Sequence, residues 1–179
     1  MTGPLPARYV PERRFPRYRH RLGQTPHPRT DPEGHSWECP EPECPEPESP
    51  PLTSDNWRQH DAWLFGIDLF NHGYWWEAHE CWEAAWYTTK DEAICHLLQG
   101  LIQLAAAWLK WEDGNQRGRR GLWRRSRDHL SAAATAQSSL AGLDVVCVVD
   151  AMDRLFAQDA VRPPSAVTPD LPRLCLSPD

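Results

Sequence analysis

At 179 residues, 40% of them hydrophobic, and with a net charge of −6, the chain is long enough for one core and too short for two; a domain near this size buries roughly two-thirds of its extended surface. The longest apolar stretch, 97–109, is interrupted by Gln99, Gly100 and Gln103 and falls short of the roughly 20 apolar residues of a membrane span. Residues 1–15 carry prolines and arginines but no apolar segment of the kind that marks a secretory signal, so the expectation is a soluble, cytoplasmic protein with no membrane partner.

Thirteen of the eighteen prolines precede Leu52. Proline removes a backbone donor and pushes its preceding residue out of the helical region, which predicts a non-helical arm over 1–37. The arm nevertheless holds Tyr9, Phe15, Tyr18 and Trp37 and a turn-rich stretch from Pro26 through Asp31 and Gly34 to Ser36. That is more aromatic than a typical disordered tail, and the arm is expected to lie across a helical body. A Glu-Cys-Pro-Glu-Pro duplication follows, and 38–53 reads as an extended, solvated linker. Its Cys39 and Cys44 are spaced wider than a C-x-x-C metal knuckle, and the six cysteines of the chain imply no disulfide framework.

Helical spacing begins at Ser54, with Ser54 or Asp55 as a cap and Trp57, Trp63, Leu64, Ile67 and Phe70 at steps of three and four; Asn71-His72-Gly73 ends the first helix. The second gathers Tyr74, Trp75, Ala78, Cys81, Trp82, Ala85 and Trp86 on one face, at about 100° per residue. The third, over about 91–111, is apolar almost all round and should be the most buried. A fourth is expected from Gln116 to about Leu140, with Gly118 and Gly121 permitting close approach to a neighbour, and a fifth from Leu143 to about Gln158. The fold predicted is all-α, a five-helix bundle over 54–160 with an extended N-terminal arm and a short extended C-terminal tail over 161–179.

Chemistry concentrates on the second helix. His79 and Glu83 are i,i+4 neighbours and Glu80 falls in the same arc, an arrangement like the H-E-x-x-H zinc helix except that Glu83 stands where the second histidine would be. Such a set suits one divalent metal, zinc, manganese or iron, and needs further ligands. His27 and His35 could supply them from the arm, with Asp31 beside them. Within the body, His96, Gln99 and Gln103 form a polar stripe expected to meet His79 and Glu83, because a buried polar group needs a partner. Trp76 is the tryptophan placed to line the resulting pocket. The competing reading is a hydrogen-bond network that fixes helix register and binds nothing. Paired E-x-x-H motifs, a P-loop, a dinucleotide glycine fingerprint and a G-x-S-x-G elbow are all missing from the sequence.

The fourth helix carries Arg117, Arg119, Arg120, Arg124, Arg125 and Arg127, with Trp123 among them. Arg120, Arg124 and Arg127 could contact phosphates and Trp123 could stack on a base. The acidic balance and the glutamates of 38–48 favour self-pairing instead, so a nucleic-acid partner is disfavoured and no other partner is identified.

The run 70–86, with Phe70-Asn71-His72-Gly73 and Glu77-Ala78-His79-Glu80-Cys81-Trp82-Glu83, then Leu98-Gln99-Gly100-Leu101-Ile102-Gln103 and Gly114-Asn115, resembles the helical family called domain of unknown function 309. Pro26-His27-Pro28 and Asp31-Pro32-Glu33-Gly34-His35 look like the N-terminal extension of its longer members. The resemblance implies a compact five-helix bundle and, since the family name assigns no activity, no catalytic residues. Two functional expectations follow from the residues. One is a metal-binding domain, in its most concrete form a metal-dependent hydrolase with His79, Glu83, His35 and His27 as ligands and Glu80 as general base. The other is a non-enzymatic interaction module using the arginine helix and the proline-rich arm.

Overall fold

A computed structural model describes residues 6–37, 50–157 and 171–178. The Glu-Pro linker with Cys39 and Cys44, and the first half of the tail, lie outside the described residues. Five helices dominate: α1 Asp61–Asn71, α2 Trp75–Thr88, α3 Glu92–Glu112, α4 Gln116–Ala136 and α5 Val145–Phe156, in line with the all-α prediction.

The helix ends differ from expectation at the start of α1, at the end of α4 and at the start of α5, which begins at Val145 rather than Leu143 because the Asp144 side chain caps it by accepting the Cys147 N–H. Ser54 and Asp55 do not cap α1: a short 3-10 turn at Trp57–Gln59 intervenes, and the His60 ring accepts the Trp63 N–H. The fourth helix stops at Ala136 because the chain then turns through Ala141 and Gly142, both at positive φ (48° and 77°). Two such residues form the tight turn that joins short antiparallel strands, here β1 Ser139–Leu140 and β2 Leu143–Asp144. A side chain at Gly142 would also strike the Trp57 ring, 2.5 Å from the Cβ position.

The core is built from indoles. Trp63, Trp82, Trp108 and Trp111 are fully buried, with Trp108 5.0 Å from Trp75 and 5.2 Å from Trp111 between ring centroids. Two glycines make the helix contacts this close. At Gly66 on α1 a Cβ would lie 2.2 Å from the Trp82 indole nitrogen, and at Gly100 on α3 it would lie 2.6 Å from Leu130 on α4. The expectation for Gly118 and Gly121 is therefore corrected: Gly118 faces only the Asn115 side chain and Gly121 faces open space. As a 21-residue apolar helix, α3 does reach the length and composition of a membrane span. Its Leu97, Leu98, Leu101, Leu104 and Trp108 lie in the core, and its neighbours are α2 and α4.

The arm lies across α1 and α2, held by carboxylates that accept its backbone. Buried Asp68 takes the Tyr9 N–H (2.8 Å) and the Val10 N–H (2.9 Å), with Arg8 Nε 3.6 Å away. Phe15 fits among Phe65, His72 and Tyr74. Arg13 pairs with Asp61, and Arg19 and Arg21 converge on Glu112 at 2.9 and 3.1 Å. Much of the basic block at the start of the sequence is thus neutralised by acids of the body. The tail closes the other side. Asn71 donates to the Leu174 carbonyl (2.8 Å) and accepts its N–H (2.9 Å), while Leu176 N–H bonds the Tyr9 hydroxyl.

Candidate functional site

α2 meets the arm through Trp76, Glu77 and Glu80, while Trp75, Ala78, Cys81, Trp82 and Ala85 turn into the core. His79, Glu80 and Glu83 come together as the spacing requires: one ligand atom from each lies within 4.8 Å of the others, and all three residues are half-buried. His79 Nδ1 is 3.4 Å from Glu80 Oε1. Two ligand atoms each about 2.1 Å from a common ion are at most about 4.2 Å apart, so small side-chain rotations bring the set to one ion.

The arm covers this cluster with Arg29, whose Nη2 is 2.9 Å from Glu80 Oε2. Burial pushes the Glu80 carboxyl up, but the contact with His79 and the charges of Arg29, His79 and His27 outweigh it and hold the group below the ordinary carboxylate range. His27 is exposed, and its Nδ1 accepts the Arg29 and Thr30 N–H groups at 3.3 Å each. Its ring stands 5.7 Å from Trp76 and 5.3 Å from His20. Trp76 therefore sits inside a collar of imidazoles, with His20 at 5.5 Å and His35 at 6.2 Å.

His35 is not at the cluster. Its Nε2 lies 3.0 Å from Glu77 Oε1 and its Nδ1 3.0 Å from the Ser36 hydroxyl, so both ring nitrogens are engaged and the predicted ligand role is withdrawn. Asp31 also serves the arm rather than a pocket: Oδ1 accepts the Glu33 N–H, and its backbone joins the turn closed at Gly34. A Cβ at Gly34 would lie 2.2 Å from the Pro28 carbonyl oxygen, which explains the glycine there.

The polar stripe on α3 faces the other way. His96 Nδ1 is 3.0 Å from His129 Nδ1 on α4, and the Ser126 hydroxyl donates to the Gly100 carbonyl. Gln103 falls seven residues after His96, on the same face, and its Oε1 is buried with no hydrogen-bond partner among the described residues. Gln99 is half-buried. The predicted meeting of His96 and Gln103 with His79 and Glu83 does not occur, because α2 and α4 lie against different faces of α3.

Arg119, counted with the basic face, points inward and is fully buried, its guanidinium 5.3 Å from the Phe156 ring centroid and 5.9 Å from that of Trp111. Trp123 is buried with Nε1 donating to Asp153 Oδ1 at 3.1 Å, so it cannot stack on a base. Arg127 pairs with the other oxygen of the same aspartate at 2.9 Å. Arg117, Arg120, Arg124 and Arg125 are exposed.

Sequence reasoning passed over Glu77, which accepts the His20 N–H at 2.7 Å as well as His35, and Asp68. Each had a signal. Asp68 interrupts an otherwise apolar helix, and Glu77 lies one turn from both Tyr74 and Cys81 on the apolar face of α2. A carboxylate in such a place must find donors.

The fold and these clusters define a five-helix protein whose second helix, under an N-terminal arm, carries a compact His and Glu group. The family model described as Domain of unknown function (DUF309) matches residues 63–122, about a third of the chain, from α1 into α4. The match includes His79, Glu80 and Glu83 and excludes the arm. No curated protein matches the chain.

Proposed function

We propose that the protein binds one divalent cation through His79, Glu80 and Glu83 beneath its N-terminal arm. The observation that carries this reading is the convergence of one imidazole and two carboxylates within 4.8 Å on the half-buried face of a single helix. The donor set is mixed nitrogen and oxygen, which suits zinc, manganese or iron. The converged group is His79, Glu80 and Glu83 alone; His27, whose ring lies against Trp76 and whose Nε2 has no hydrogen bond among the described residues, is the arm residue available to join it by a shift of the arm.

Glu80 is better suited to hold the ion than to activate water. A general base works best with a pKa near the operating pH, and Glu80 is displaced in the opposite direction. Hydrolysis is accordingly the less favoured form of the reading. Arg29 occupies Glu80 Oε2 while His79 faces Oε1, so the guanidinium charge opposes the ion at the same carboxylate.

The test is elemental analysis of protein purified without an affinity tag, followed by calorimetric titration of metal-free protein with Zn²⁺ and Mn²⁺. Near-stoichiometric binding that is lost in His79→Ala/Glu83→Ala, and that tightens several-fold in Arg29→Ala, is the expected result. Identical weak uptake by all three proteins would end the proposal.

A further inference from the structure

We propose that an open groove between the end of α3 and the first half of α4 binds a small phosphate-bearing anion through Lys110, Arg117 and Arg125. The groove is shallow and open to solvent, with about 520 Å³ of accessible space over its lining. Asn115, Gly118, Gly121 and Leu122 complete its lining.

Three observations converge on it. First, its cations are available. Arg117 and Arg125 have no ion pair among the described residues, and Lys110 meets Asp113 only at 3.9 Å. The arm arginines make the contrast, since Arg8, Arg13, Arg19, Arg21 and Arg29 are each set against a carboxylate.

Second, Arg117, Gly121 and Arg125 form one i,i+4 row on α4. Gly121 leaves the middle of that row empty, with nothing within 4 Å of where its Cβ would be. The fold does not require this glycine: its φ is not positive and no neighbour presses on it. A glycine in a helix interior costs about 1 kcal/mol relative to alanine. What the glycine provides is access, letting a ligand reach the helix backbone between two guanidinium groups.

Third, the lining selects phosphate rather than base. No aromatic side chain borders the groove, and Trp123 is buried and bonded to Asp153. Guanidinium forks match phosphate oxygens in bidentate geometry, and the groove lies toward the N-terminal, positive end of a 21-residue helix. Arg120, Arg124 and Arg127 are not among the residues that line the groove.

The test titrates the full chain with sodium tripolyphosphate at low ionic strength by calorimetry. Saturable one-to-one binding is expected. It should weaken at least about tenfold in Arg117→Ala/Arg125→Ala, disappear in Gly121→Glu, and stay within about twofold in Arg120→Ala/Arg124→Ala. Thermal melts identify any variant that fails to fold, and the Arg120→Ala/Arg124→Ala pair serves as the charge-matched control. Absence of saturable binding overturns the proposal. So does equal loss in both arginine pairs, which would indicate a diffuse field, or tighter binding of an oligothymidylate that depends on Arg120 and Arg124, which would indicate a nucleic-acid face on α4.

Discussion

The arm's seat on α1 and α2 and the outer face of α4 are both rich in charge, yet they use it in opposite ways. Under the arm, Asp68 and Glu77 are buried and accept backbone N–H groups from a segment some sixty residues earlier in the chain. On α4, Arg117, Arg124 and Arg125 stand in solvent with no ion pair among the described residues. A charge out of water is worth far more to its partners, and far more costly to lose, than one in water. The first region therefore holds the structure together, and the second is free to act on something else.

Substitutions can break this contrast. The largest effect is expected at Asp68→Ala, which strands the Tyr9 and Val10 N–H groups and the nearby Arg8 guanidinium; stability in urea should fall by about 3 to 5 kcal/mol. Glu77→Gln keeps the shape but removes the charge facing His20 N–H and His35, and should cost about 1 to 3 kcal/mol, with faster proteolysis within the arm. A rate of arm cleavage unchanged from the parent would show that Glu77 does not hold the arm.

Acidification acts in the same direction. Burial lowers the pKa of His20 despite Glu77, with His27 and His35 adding to the effect; burial likewise lowers His72 and, with help from His96, His129. A histidine whose folded pKa lies below its unfolded value contributes stability above about pH 6.5 and loses it as pH falls through the folded value. Stability should therefore decline from about pH 7 toward pH 5. Glu112 has the opposite sign: burial raises it against Arg19 and Arg21, so its protonation offsets part of the loss near the carboxylate range. His129→Gln should flatten the decline in a pH series of denaturation curves.

On α4 the expected changes are small. Gly121→Ala should raise stability by about 0.5 to 1 kcal/mol, since the new methyl meets nothing. Arg124→Ala/Arg125→Ala should leave the denaturation midpoint within about 0.5 kcal/mol of the parent. A large loss there would mean that these arginines support the fold after all.

Periodicity alone determined the five helices, because an apolar residue every three or four positions has to face a core whatever that core turns out to be. It also determined the convergence of His79, Glu80 and Glu83, since Glu83 lies four residues after His79 and three after Glu80, and residues three and four apart on a helix share a side regardless of tertiary context. Only the tertiary structure decided which neighbour each polar side chain meets. His96 and Gln103 lie on the α4 side of α3, His35 is spent on Glu77, Arg119 is inside and Trp123 is closed off. Helix phase fixes a residue's direction relative to its own helix, whereas its partner depends on how helices and arm assemble around the indole core. Asp68 and Glu77 belong with that second group, for their donors are backbone N–H groups, which every residue but proline carries and which no sequence pattern marks.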